Sequence, residues 1–163
     1  MLTMSVSIRG IRWVFCCLVN ISRHVLIVSQ ADVYSNGRSE EVIGKALKQY
    51  NIPRNRVVIL SKCYFGVEEG GEQPQIAAVS TNDGPMVNRV GLSRKHIIDA
   101  VDDSVRRLGT YIDVLQIHRL DRATPREEIM RALNDVVESG KVRYIGASSV
   151  SLKIPIPIAG SCC

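Results

Sequence analysis

Ser104-Val-Arg-Arg-Leu-Gly-Thr-Tyr-Ile-Asp-Val-Leu-Gln-Ile-His118 is the stretch whose reading decides the fold. Upstream of Gly109, the apolar residues Ile97, Ile98, Val101, Val105 and Leu108 recur at helical spacing, and Ser93 stands where a cap belongs. Gly109 can stop that helix. From Ile112 to Ile117 the text becomes a short apolar run of strand type, and the run ends on His118. A helix, a glycine stop, a buried strand and a polar residue at the strand's end make half of a parallel β/α unit.

The same unit repeats on either side. Val25 to Val28 is a strand-type run followed by the turn-rich Ser35-Asn36-Gly37. Ser39 is expected to cap a helix carrying Val42, Ile43, Ala46 and Leu47, which Pro53 closes. Val57 to Leu60 is the next strand and leads into Ser61-Lys62. Downstream of His118, Thr124-Pro125-Arg126-Glu127 has the pattern of a capping box with proline at the first helical position. The helix that follows is expected to bury Ile129, Leu133 and Val136 and to stop at Gly140. Val142 to Ile145 is a fourth strand, ending in Gly146-Ala147-Ser148-Ser149. The alternation predicts parallel strands joined by right-handed crossovers, buried on both faces. Tyr34, Lys62, His118 and Ser148 then fall at the C-terminal ends of successive strands, the end at which a parallel barrel builds its active site.

Residues 66–91 show no periodicity and many Gly, Pro, Asn and Asp residues, as a functional loop does. The two ends read differently from the middle. Residues 1–28 form an aberrant apolar leader, with Arg9 and Arg12 before a run that Asn20, Ser22, Arg23 and His24 interrupt. A membrane span is not expected there, since one central Arg costs about 2.5–3.5 kcal/mol on insertion. In the tail, residues 151–163, Pro155 and Pro157 would break the helix that the rhythm calls for.

The chain has 163 residues and a net charge of +5, but its basic residues are interleaved with acids and no aromatic platform accompanies them, so a nucleic-acid partner is not expected. Its five cysteines, two adjacent pairs and Cys63, match neither a zinc spacing nor a disulfide framework. No metal is expected, and reduced thiols suggest a cytoplasmic protein. Taken singly, Tyr34 also reads as a packing residue, Lys62 as a solvated strand-end charge, and His118 as a structural histidine. Ser148 and Ser149 also read as turn caps.

Four segments in order resemble the signatures of the aldo-keto reductases. They are Ala31-Asp-Val-Tyr34 with the helix after it, Val58-Ile-Leu-Ser-Lys62, the stretch ending His118-Arg-Leu-Asp121, and Ser139-Gly-Lys-Val-Arg-Tyr-Ile-Gly-Ala-Ser148-Ser149. The wording is most similar to the aryl-alcohol-dehydrogenase-like and versiconal-reductase-like subgroup. The resemblance implies an α/β fold, an incomplete (β/α)8 TIM barrel of about strands 2–5, with residues 29–150 as the partial domain. It implies a hydride transfer between NADP(H) and a small-molecule carbonyl or alcohol substrate. It also implies catalytic roles for Tyr34, Lys62 and His118, and contact of Ser148 and Ser149 with the nicotinamide carboxamide.

One position departs from the family pattern. The aspartate that the family places five residues before the tyrosine is Ser29 here, and Gln30 follows it. Asp32 is three residues too late to be taken as its equivalent. Together with the two unusual ends, this suggests a chain that is inactive as it stands. The rival expectation is a non-catalytic fragment or decayed gene product that self-associates through open barrel edges or binds a partner.

Overall fold

The computed structural model describes the backbone of residues 7–8, 11–12, 18–22, 25–68 and 77–148, with side chains from residue 26 onward in the last two stretches. Two-residue strands β1 (Ser7–Ile8) and β2 (Ile11–Arg12) pair with each other. Strand β3 (Leu18–Ser22), inside the segment read as a leader, runs antiparallel to β4 (Val25–Ser29) and joins the main sheet. The remaining leader residues and the whole tail, 151–163, lie outside the described residues, as does Ser149.

Strands β4, β5 (Val57–Cys63), β6 (Ile112–Ile117) and β7 (Val142–Ala147) are parallel and adjacent in that order. Helices α1 (Arg38–Gln49), α2 (Arg94–Leu108) and α3 (Arg126–Glu138) fill the crossovers. The four expected strands and three expected helices are therefore all present, in the expected order. The alternation of side chains along each strand divides the sheet into two faces. Val57, Ile59 and Cys63 of β5 and Leu115 and Ile117 of β6 pack with Ile97, Val101 and Leu108 of α2 and Ile129, Leu133 and Val136 of α3 in one core. The intervening positions form the other face, which in a closed barrel is the interior.

Two helix starts differ from expectation. Ser39 does not cap α1; the helix begins at Arg38 behind Gly37, with no side-chain cap, because the Ser39 hydroxyl donates to Gln30 Oε1 at 3.3 Å. Nor does Thr124 form a capping box. Its hydroxyl donates to Asp121 Oδ2 at 2.7 Å, and Pro125 occupies the cap position before Arg126. At α2 the expectation holds, since Ser93 accepts the His96 N–H.

What aims the strand ends is the packing of α1 against α2. Gly44 lies so close to α2 that a Cβ there would come within 2.6 Å of the Leu108 carbonyl oxygen. The turn before α1 holds Ser35 and Asn36 at φ 53° and Gly37 at φ 81°. A Cβ on Gly37 would also strike Arg107 at 2.7 Å, so only glycine fits both the backbone and the space.

Candidate active site

The parallel register puts the candidate residues on one face. Leu60 pairs with Val114 and Lys62 with Gln116, so Lys62, Gln116 and, two residues on, His118 face the barrel-interior side. Gln116 pairs with Gly146 in turn, which places Ser148 on the same side at the end of β7. The backbone continues the ladder past the strand ends: His118 N donates to the Cys63 carbonyl at 3.0 Å, and Ser148 N to the Ile117 carbonyl at 2.9 Å.

Tyr34 arrives from the turn after β4. Its ring meets the His118 imidazole edge-on, centroids 6.1 Å apart, and lies 5.3 Å from Lys62 Nζ. Lys62 is 9% exposed and donates to the Gln30 carbonyl at 2.7 Å. The His118 pKa is lowered, first by burial and then by the charges of Lys62 and Arg119, so the ring is neutral at neutral pH. Its Nδ1 is buried and meets no hydrogen-bond partner among the described residues. A phenol, an ammonium and a neutral imidazole thus converge at the C-terminal ends of three neighbouring strands.

Ser29 and Asp32 part company. Ser29 pairs with Leu60, so it lies on the interior side, two residues below the level of Lys62. Asp32, only 1% exposed, belongs to the other side of the sheet, in a cleft of about 470 Å³ lined also by His96, Asp99, Asp103 and Arg107. Burial, then the charge of Glu40, push its carboxyl well above the usual range, and its Oδ2 meets no partner among the described residues. The Lys62 charge also acts on this carboxyl, so Asp32 lies within electrostatic reach of the ammonium although it does not stand at position 29.

Several residues that support the site had no role assigned from the sequence. Glu40, fully buried, receives Arg107 Nε at 2.7 Å, Ser61 Oγ at 2.8 Å and Gln30 Nε2 at 3.2 Å, tying α1, α2, β5 and the end of β4 together. Asp121 accepts from Leu92 N at 2.8 Å, Thr124 Oγ1 at 2.7 Å and Ala123 N at 2.9 Å, and so anchors the loop after His118. These three partners of Glu40 are scattered over the chain, and no spacing reveals them. Phe65 packs edge-on against His118 with centroids 5.0 Å apart, from a loop whose sequence shows only its glycines. His96 is structural, its Nδ1 2.8 Å from the Gly91 carbonyl oxygen. Cys63 is a buried thiol whose pKa burial raises. No cluster of three potential metal ligands occurs among the described residues, and no helix among them is long and apolar enough to cross a membrane.

Residues 25–154 match the model of the aldo/keto reductase family. The chain is 72% identical over 122 residues to versiconal hemiacetal acetate reductase of Aspergillus parasiticus, covering 74% of this chain and 36% of that protein. A Schizosaccharomyces pombe protein named as an aryl-alcohol dehydrogenase is 57% identical over 125 residues, with the same coverage. Among solved structures, the holo form of an aldo-keto reductase from Bacillus halodurans matches with a TM-score of 0.60 and 31% identity, over 76% of this chain and 36% of that one. The four parallel strands and their helices are thus an arc of a (β/α)8 barrel, the chain spans about a third of the length of these relatives, and it belongs to the aldo/keto reductase family.

Proposed function

We propose that this segment carries the catalytic face of an NADP(H)-dependent carbonyl reductase, and that the activity belongs to a complete barrel containing it. The observation that carries the reading is the convergence of Tyr34, Lys62 and His118 on one face at the strand ends. The donor set fits a nicotinamide site: an acid, a cation and a neutral ring with an orphaned nitrogen share the interior face with Ser148. When bound, the reduced nicotinamide supplies the hydride.

The rest is work for the side chains. As hydride reaches the carbonyl carbon, negative charge grows on the substrate oxygen and needs a proton. Tyr34 is the donor. A phenol of pKa about 10 is a weak acid at neutral pH, and the Lys62 ammonium beside it favours the phenolate it leaves behind. Neutral His118 can donate a hydrogen bond that orients the substrate oxygen without competing for the proton. As the resemblance implies, Ser148 and Ser149 would hold the carboxamide of the cofactor. NADP rather than NAD, and an aldehyde, ketone or corresponding alcohol as substrate, follow from the family.

The test is a hybrid barrel in which residues 29–148 replace the matching segment of a complete family member. Oxidation of NADPH by an aromatic aldehyde is followed for the hybrid and its Tyr34→Phe variant. Turnover that Tyr34→Phe abolishes, with NADPH binding intact, is the expected result. A Tyr34→Phe hybrid as active as its parent would remove Tyr34 from the reaction.

A further inference from the structure

We propose that Phe65 is the positioning residue for His118, its ring forming the wall that holds the imidazole in one orientation at the strand ends. The proposal rests on the reading of His118 as an active-site group, but its test does not require turnover.

Two things hold an imidazole: its backbone and the surroundings of its ring. The backbone of His118 is fixed by the hydrogen bond from its N–H to the Cys63 carbonyl. The ring has no such anchor at Nδ1, which is buried and meets no partner among the described residues. Where a histidine lacks a hydrogen bond at Nδ1, only the packing that keeps water from that nitrogen holds the tautomer and the ring's rotation. Ring packing remains. Tyr34 touches one edge at 6.1 Å, but Tyr34 is itself the proposed acid and must meet substrate. Phe65 is nearer, at 5.0 Å with the planes 82° apart, a favoured aromatic geometry.

Phe65 is well placed to be the rigid member of that pair. It is 6% exposed and packs with Val79, Met86 and Val90 in a small apolar cluster beneath the loop after β5. The loop is fastened at both ends, by Gly66 N to the Val79 carbonyl at 2.9 Å and Gly91 N to the Tyr64 carbonyl at 2.8 Å. The fit there is close, since a Cβ on Gly66 would meet Met86 Sδ at 2.4 Å. The Arg119 guanidinium lies 5.5 Å from the Phe65 ring centroid. Phe65 therefore passes the order of the loop cluster to His118. The charged and titratable groups around the imidazole are Lys62, Arg119 and Tyr34, and none of them substitutes for the wall.

The experiment is a nitrogen-15 NMR titration of the full chain, in which long-range couplings report tautomer and pKa for each of its three histidines. In the parent, His118 is expected to show one dominant tautomer and a pKa below the free value of about 6.5. Phe65→Ala admits water and frees the ring, so His118 should show mixed tautomers and a pKa moved up toward that value. His96, on the other side of the sheet, should not change. An unchanged His118 in Phe65→Ala, with His96 intact, would overturn the proposal. If Phe65→Ala disturbs His96 as well, the decision passes to Phe65→Tyr and Phe65→Leu. Parent behaviour in Tyr and mixed tautomers in Leu support the wall, whereas parent behaviour in Leu overturns it. Failure of the hybrid barrel to reduce carbonyls would count against the proposed function alone.

Discussion

Lys62 Nζ donates to the Gln30 carbonyl oxygen at 2.7 Å, so the ammonium is drawn to the end of β4, beside Ser29, which occupies the position where the resemblance implies an aspartate. Ser29 shares the interior side with Lys62, and Asp32 faces the helices instead. A carboxylate restored at position 29 would favour the protonated form of a partly desolvated lysine, and with it the acidity of Tyr34. In the hybrid barrel, Ser29→Asp is expected to raise kcat about ten-fold or more, within the ~10²–10⁴-fold range of general acid catalysis. NADPH affinity should hardly move. Equal kcat values would mean that the charge of Lys62 is secured without position 29.

A polypeptide of these 163 residues, expressed alone, is expected not to reduce carbonyls. It spans 36% of the length of its versiconal-reductase relative, so it brings only part of the ring of strand-end loops from which a complete barrel builds its site. Titration with NADPH followed by fluorescence checks this. Micromolar binding with steady turnover of an aromatic aldehyde would contradict it.

The Glu40–Arg107 pair offers a stability test far from the reacting atoms. Its side chains are 0% and 1% exposed, and breaking a buried pair by removing one partner costs about 3–5 kcal/mol because the other charge is stranded. Glu40→Gln should therefore lower the urea midpoint sharply. A double change, Glu40→Leu with Arg107→Met, should recover much of the loss. If Glu40→Gln unfolds no more easily than the parent, the pair does not hold α1 to α2.

Acid should loosen the loop after His118 through Asp121. Burial pushes this carboxyl up, but the hydrogen bonds from Leu92 N, Thr124 and Ala123 together outweigh it and leave the pKa below the ordinary value. The stabilisation is thus full above the unfolded value of about 3.9 and is lost as pH falls through the lower folded value. Asp121→Asn should remove that part of the acid dependence while retaining most of the loop at neutral pH. Denaturant unfolding at pH 2 to 6 measures it, and superimposable pH profiles for parent and variant would refute the assignment.

The strands were legible in the sequence because each is written as a short apolar run, as in Val57 to Leu60, but burial on both faces does not hold throughout: Val58 and Leu60 are only partly buried, and Tyr144 of β7 is 70% exposed. Tyr34, Lys62 and His118 were singled out because each follows such a run inside a segment that resembles an aldo-keto reductase signature. The starts of α1 and α3 were misread for a physical reason: Ser39 and Thr124 have the chemistry of caps, but Gln30 and Asp121 claim their hydroxyls. Phe65 left no mark at all. Its importance comes from His118, 53 positions away in a chain where neither residue's neighbours announce the other.

At the opposite end of the sheet, Arg54 bonds the Val57 carbonyl and Asp113 at 2.5 Å each, and the Tyr111 carbonyl at 2.8 Å, while Asp113 also receives Ile59 N at 2.7 Å. These bonds set a common zero for β5 and β6. Lys62 and His118 each stand five residues above a residue held there, Val57 and Asp113. Each residue of strand adds about 3.3 Å, so a slip of two positions would part ammonium and imidazole by roughly 7 Å while leaving the same side of each strand inward. Arg54 works as the origin of a ruler, and the spacing of the proposed catalytic groups is measured from the opposite end of the sheet.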